Sequence, residues 1–108
     1  MSVITELKDL AKKMNENPVH IENEKDRVFQ VNLDDGSTLQ IVLKDGRIEI
    51  AEGTPFESEV KLSLSDKNFS KLLKDELNTT MAFMTGGLKV DGKIGLALKL
   101  QEIVKKYQ

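Results

Sequence analysis

The chain has 108 residues, enough for one core of ordinary size, and we expect residues 1–108 to form a single domain. Its 16 Lys and Arg against 18 Asp and Glu leave a net charge of −2. This balance argues against nucleic acid as a partner, because such binding depends on neutralising phosphates. Without cysteine the chain has no disulfide framework, no zinc–thiolate site and no thiol nucleophile.

Two further features concern membranes and targeting. No apolar run approaches the length that a membrane span needs. Charged residues interrupt the N-terminal segment where a signal peptide would be continuously apolar. We therefore expect a cytoplasmic protein with no membrane span.

The apolar residues of the N-terminal segment repeat at the spacing of an amphipathic helix. Between Val3 and Asn15 they fall on one face, and charges of both signs lie on the other. Asn17 and Pro18 predict the end of this helix. A helix that binds a membrane surface has a cationic polar face and interfacial aromatic residues, so we expect this helix to pack on a sheet instead.

The pattern then changes to strict alternation, which is typical of strands with one buried face. Alternating segments run from Phe29 to Leu33, from Leu39 to Leu43 and from Ile48 to Ile50. Both connections contain Asp-Gly, a strong signal for a hairpin turn. These segments predict a three-strand antiparallel meander, and the stretch from Val60 to Leu64 predicts a fourth strand.

The last third of the chain predicts three helices and a short strand. Ser65 or Asp66 is a suitable cap for a helix with apolar residues near i, i+3, i+4 and i+8. Those residues are Phe69, Leu72, Leu73 and Leu77. A short helix from Met81 to Thr85, a strand from Leu88 to Val90 and a last helix from about Lys93 towards Tyr107 follow.

The last helix is apolar on two sides in its N-terminal half. One face comprises Leu96, Ala97, Leu100, Ile103, Val104 and Tyr107. Ile94 and Leu98 form a separate stripe. Either protein covers both sides, or a ligand cavity lies against one of them.

One motif suggests a phosphate-binding loop. Residues 87–93 fit the pattern GxxxxGK before a predicted helix. However, Ile94 stands where a Ser or Thr should bind Mg²⁺, and the alternation from Leu88 to Val90 is typical of a strand. We interpret the match as a coincidence.

The remaining polar residues form no catalytic constellation. His20 is the only histidine, and we expect it to be solvated in a loop. Asp34, Asp35 and Asp45 lie at hairpin tips, where turn chemistry explains them. We therefore expect a protein that is not an enzyme and that needs no metal or cofactor.

The C-terminal segment resembles the signature of the sterol carrier protein type 2 family. Residues 82–100 read AFMTGGLKVDGKIGLALKL. The family pattern is similar: Ala-Phe, two residues, Gly-Lys-Leu-Lys, a β-branched residue, a spacer and Gly, then a helix with Ala and Lys-Leu. The segment from Val60 to Phe69 resembles the family's preceding region, and the helix–meander order agrees.

The chain departs from the family pattern at three points. Gly87 replaces the usual Lys, Thr79 stands where Pro is common after Asn, and no tryptophan occurs. These departures remove no catalytic group, because the family needs none, but they leave the identity of the ligand open.

The resemblance implies an α+β fold in which a mixed five-stranded sheet and helices enclose an apolar tunnel. The expected order is an N-terminal helix, the meander, a crossover to a fourth strand, helices, a short fifth strand and a C-terminal helix. The resemblance also implies non-enzymatic binding of a long-chain lipid: a fatty acid, a fatty acyl-CoA or a sterol-like molecule.

With this function, the lipid chain would lie between the inner face of the sheet and the helices spanning Phe69 to Leu100. The candidate lining residues are Leu73, Leu77, Met81, Phe83, Met84, Ile94 and Leu98. Lys25 or Arg27, near the start of the first strand, is the candidate partner of a carboxylate headgroup.

A protein-interaction module of the same fold with a closed core is the alternative. Such a module would use the helix face from Met81 to Leu98 to form a weak homodimer or to dock on a lipid-metabolising enzyme.

Overall fold

Residues 2–108 are described by a computed structural model as four α-helices and five β-strands. The helices are α1 (Val3–Glu16), α2 (Asp66–Leu73), α3 (Thr79–Thr85) and α4 (Ile94–Lys105). The strands are β1 (Arg27–Leu33), β2 (Thr38–Lys44), β3 (Arg47–Glu52), β4 (Val60–Leu64) and β5 (Leu88–Gly92). A 3₁₀ turn, Pro18–His20, follows α1. The α+β class and the predicted element order are confirmed.

The strands form one mixed sheet in the order β3-β2-β1-β4-β5. The β1–β2, β2–β3 and β4–β5 pairs are antiparallel, whereas β1 and β4 are parallel. Phe29 of β1 lies opposite Ile41 of β2 and Val60 of β4. Because directly paired residues point to the same side of a sheet, these apolar positions share one inner face.

The two hairpin turns differ in geometry. Asp45 and Gly46 have φ of 53° and 74°, the double positive φ that a type I′ turn requires. In the first turn only Gly36 has positive φ. There the Ser37 backbone N–H donates to Asp35 Oδ1 at 2.8 Å, and this hydrogen bond lowers the pKa of Asp35. Asp35 and Asp45 therefore have structural roles in the two turns.

The inner face of the sheet and the helices bury a single hydrophobic core. α1 contributes Val3, Leu7, Leu10 and Met14 of the predicted apolar stripe, and Ala11 beside it. α4 contributes Ala97, Leu100, Ile103 and Val104, followed by Tyr107. The first of the two apolar sides predicted for α4 is thus covered by protein, with Leu96 partly buried beside it.

α1 is attached to the sheet by a side chain as well as by its apolar face. Asn15 Nδ2 donates to the Ile48 carbonyl at 2.8 Å, and the Ile48 N–H donates to Asn15 Oδ1 at 2.9 Å. Ile48 lies in the edge strand β3, so the amide of Asn15 pairs backbone groups that an edge strand leaves open.

Two local predictions were wrong. Leu77 does not belong to α2, which ends at Leu73, because Asp75 adopts a left-handed φ of 57° that breaks the helical path. His20 is not a freely solvated loop residue. It is partly buried in the 3₁₀ turn, where its ring lies edge-on to that of Tyr107 at 5.3 Å.

The crossover from β3 to β4 passes over the outer face of the sheet and is held by Gln40. Gln40 is fully buried, and its amide exchanges two hydrogen bonds with the backbone of Phe56, at 2.8 and 3.0 Å. Its Nε2 also donates to Gln30 Oε1 at 3.2 Å. The side chain of Phe56 remains half exposed.

We expect Gln40→Met to destabilise the protein by about 2–3 kcal/mol, because the backbone N–H and C=O of Phe56 lose their partner without gaining another. Urea denaturation would measure the loss. Gln30→Met is the matched control: it removes one hydrogen bond to Gln40 and one to Asn32 but none to the backbone of Phe56, and it should cost clearly less. Equal losses would contradict a clamping role for Gln40.

Candidate functional site

The structure divides the seven predicted lining residues into an inner and an outer group. Leu73 is buried in the core, Leu77 and Ile94 are partly buried against it, and Leu98 is partly buried on α4. The outer group lies on α3: Met81, Phe83 and Met84 are 56%, 44% and 75% exposed. None of the seven residues lines the clefts described below.

The exposure of the outer group follows from how little of α3 is buried. Only Thr79 and Ala82 of its seven residues are buried. At 100° per residue these two define one narrow face, and Met84 lies nearly opposite to it. Large apolar side chains are thus placed where a surface helix normally carries polar ones.

Hydrogen bonds from polar side chains fix the start of α3 and the segments before and after it. Asn78 accepts a hydrogen bond from the Met81 N–H at 3.0 Å and caps the helix. Gln101 Nε2 donates to the Leu77 carbonyl at 2.7 Å, and Asn68 Nδ2 donates to the Gly87 carbonyl at 3.0 Å. Apart from the Asn78 cap, these bonds hold the segments before and after α3 and leave its outer face free.

Sequence reasoning missed the roles of Gln101 and Asn68. The position of Gln101 between the two apolar stripes of α4 was the one available signal. A polar residue bordering two apolar stripes is well placed to bond the backbone of a neighbouring segment, but the sequence does not show which segment.

The two candidate headgroup residues differ in environment. Lys25 is exposed. Arg27 is paired with Glu24 at 3.3 Å, and the other carboxylate oxygen of Glu24 contacts Lys99 Nζ of α4 at 3.0 Å. Sequence reasoning did not identify Glu24 or Lys99. Two cations share one carboxylate here, so the cluster has a net charge of +1.

Two surface clefts are lined by residues other than those predicted to contact the lipid. A cleft of about 690 Å³ is lined by Glu57, Ser58, Glu59, Gly92, Lys93 and Leu96. Its two carboxylates make it a poor site for an apolar chain. A second, of about 430 Å³, lies where Lys89 and the Gly86-Gly87 turn meet the start of α2.

Within residues 2–108, no group of three His, Asp or Glu side chains is placed to hold a metal ion. None of the helices in the described part of the chain is both long and apolar enough to cross a bilayer.

Comparison with known proteins identifies the family. The model of the SCP-2 sterol transfer family matches residues 4–105, nearly the whole chain. The chain belongs to this family. The resemblance seen in residues 82–100 is therefore confirmed, and lipid binding in general is the family's established property.

Solved structures agree with the fold. The solution structure of sterol carrier protein domain 2 of Helicoverpa armigera superimposes with a TM-score of 0.78 at 23% identity, covering 97% of this chain and 87% of that one. The solution structure of palmitated SCP2L2 from Aedes aegypti gives 0.72 at 20% identity, covering 96% and 95%. At these identities the likeness establishes the fold alone.

A curated relative shows the domain within a larger protein. The hydroxysteroid dehydrogenase-like protein 2 of Rattus norvegicus is 35% identical over 77 residues, which is 70% of this chain. The match spans only 15% of that relative's length. Family membership thus concerns this domain, and the activity of the whole relative is not transferred by it.

Proposed function

We propose that the protein is a non-enzymatic carrier that binds the chain of a long lipid between the inner sheet face and helices α2, α3 and α4. The observation that carries this proposal is the outer face of α3, where Met81 and Met84 are exposed one helical turn apart and Phe83 is exposed on the flank of the same helix. Contiguous exposed apolar groups on a small protein mark interaction or ligand sites.

The proposed binding step is an outward movement of α3 together with a partial rotation about its axis, because Met84 faces away from the body of the protein when the site is closed. It would bring the outer lining group against a lipid chain whose other side contacts Leu73, Leu77, Ile94 and Leu98. Methionine suits this role because its unbranched side chain adapts to different shapes. Palmitate in the Aedes aegypti relative supports a long saturated chain as the ligand class.

Energetics favour a site that is closed when empty. A pocket of at least about 300 Å³, kept empty at about 24 cal/mol per Å³, would cost about 7 kcal/mol. This cost is comparable with the whole stability of a domain, about 5–15 kcal/mol. Burying a lipid chain yields about 0.8 kcal/mol per CH₂ group, so binding can open the site.

The proposed headgroup contact is Arg27, assisted by Lys25 at the surface. Because Arg27 already pairs with Glu24, an anionic headgroup would bind there in competition with that carboxylate. The cytoplasmic location expected from the sequence remains part of the proposal.

We expect the protein purified from its native host to carry lipid, identifiable by organic extraction and mass spectrometry. After delipidation, amide hydrogen exchange should be faster in α3 and the start of α4 than in α1, because little surface holds α3 in place. Adding laurate should restore protection. A lipid-free preparation with uniformly protected helices that laurate leaves unchanged would contradict the carrier proposal.

We expect Met84→Glu to weaken laurate binding at least about tenfold, because a carboxylate would have to be desolvated beside the lipid chain. Stability should change little, since Met84 is 75% exposed. Val19→Glu is the matched control: Val19 is 53% exposed but lies in the 3₁₀ turn after α1. Equal binding by both variants in fluorescence competition would exclude α3 from the site.

We expect Glu24→Gln to strengthen laurate binding about two- to fivefold, because it frees Arg27 and Lys99 from a partly exposed ion pair. Affinity for dodecanol, which has the same chain length and no charge, should not change. The double variant Glu24→Gln/Arg27→Gln should lose the gain. An unchanged laurate affinity in the single variant would rule out this cluster as the headgroup site.

A second candidate function is docking to a lipid-metabolising enzyme or to another copy of the chain. It is favoured by the Rattus norvegicus relative, in which a matching segment forms a minor part of a protein named as dehydrogenase-like. The same outer face of α3 would be the contact surface.

Light scattering over a range of concentrations tests the self-association form of this function. A mass that rises with concentration and falls back in Met84→Glu, together with no rise in Tm on adding laurate, would favour docking over carrying. A constant monomer mass with a laurate-induced rise in Tm would favour the carrier.

A further inference from the structure

The hydroxyl of Thr79 is buried and has no hydrogen-bond partner. The residue is 1% exposed, and within the described residues its Oγ1 is the buried side-chain polar atom that remains unpaired. Thr79 is the first residue of α3. The Leu77 carbonyl, two residues earlier, is bonded by Gln101 instead.

Such an unpaired group needs an explanation. A hydroxyl both donates and accepts hydrogen bonds, and burying it unpaired is unfavourable, so native proteins keep few of them. The other deeply buried polar side chain, Gln40, uses its amide N–H and its carbonyl oxygen. Incomplete pairing is therefore particular to Thr79.

The location of Thr79 connects this hydroxyl with α3. Thr79 and Ala82 are the two residues of α3 that are buried against the body of the protein. Any movement of α3 that admits a ligand must therefore open the contact in which Thr79 lies. The hydroxyl would then be at the wall of the opened site.

We propose that the Thr79 hydroxyl binds an uncharged oxygen of the lipid, either an alcohol or a carbonyl oxygen. This inference rests on the proposed carrier function and specifies its ligand class. A carboxylate is disfavoured at this position, because Thr79 offers no positive charge and an unpaired buried charge is costly.

The test uses the full chain and two ligands of equal chain length, dodecanol and dodecane, competing with the apolar dye diphenylhexatriene. Thr79→Val removes the hydroxyl and keeps the shape of the side chain. Thr79→Ser keeps the hydroxyl. Thr80→Val, at the exposed neighbouring position, is the matched control.

We expect Thr79→Val to bind dodecanol about three- to tenfold more weakly, the effect of one lost hydrogen bond, with dodecane unchanged. Thr79→Ser and Thr80→Val should keep the preference for the alcohol. The Tm of lipid-free Thr79→Val should rise, because a methyl group replaces an unpaired hydroxyl. If Thr79 only packed against its neighbours, Thr79→Val would not raise the Tm and at the same time weaken dodecanol binding.

Three results would overturn the inference. Equal weakening of dodecanol and dodecane would mean that Thr79 only shapes the site. A lower Tm for Thr79→Val would mean that the hydroxyl already has a partner in the folded protein. An unchanged dodecanol affinity would mean that the ligand oxygen binds elsewhere. Failure of the wild-type protein to bind either ligand would instead reject the carrier function and this inference with it.

Discussion

The parallel pairing of β4 with β1 is the constraint on which the rest of the structure depends. β3 ends at one edge of the sheet, and the next strand must enter on the far side of β1. The chain therefore crosses the outer face, where the buried amide of Gln40 binds the backbone of Phe56. After this crossing, β4 and β5 complete the half of the sheet that α1 leaves uncovered. The helices α2, α3 and α4 lie beside that half.

The helical layer produced in this way is uneven. α1 buries five side chains and bonds the edge strand through Asn15, whereas α3 buries two. Local stability follows the buried area and the number of protected hydrogen bonds. The helix with the fewest buried residues is therefore the one that carries exposed methionine and phenylalanine.

The polar side chains around this layer differ in whether they already have a hydrogen-bond or ion-pair partner. Arg27 and Lys99 share Glu24, and Gln101 and Asn68 hold backbone carbonyls on either side of α3. Thr79 has no partner. Groups that are already bonded stabilise the closed arrangement, while a group that is not bonded gains most from a ligand. Under the proposed function, this difference would relate the stability of the empty protein to the chemistry of its ligand.

The sequence by itself determined the local elements: alternation and Asp-Gly turns specified the meander, and helical periodicity specified α1 and α4. It also determined the family, through residues 82–100. Only the tertiary structure decided that Leu77 leaves α2, that α3 turns Met81 and Met84 outward, that Glu24 joins Arg27 to Lys99, and that Thr79 is unpaired. The periodicity of the sequence shows which face of a helix or strand is apolar, because that face is formed by residues close together in the chain. Which partner covers that face depends on contacts between residues far apart in the chain, and no local pattern contains them.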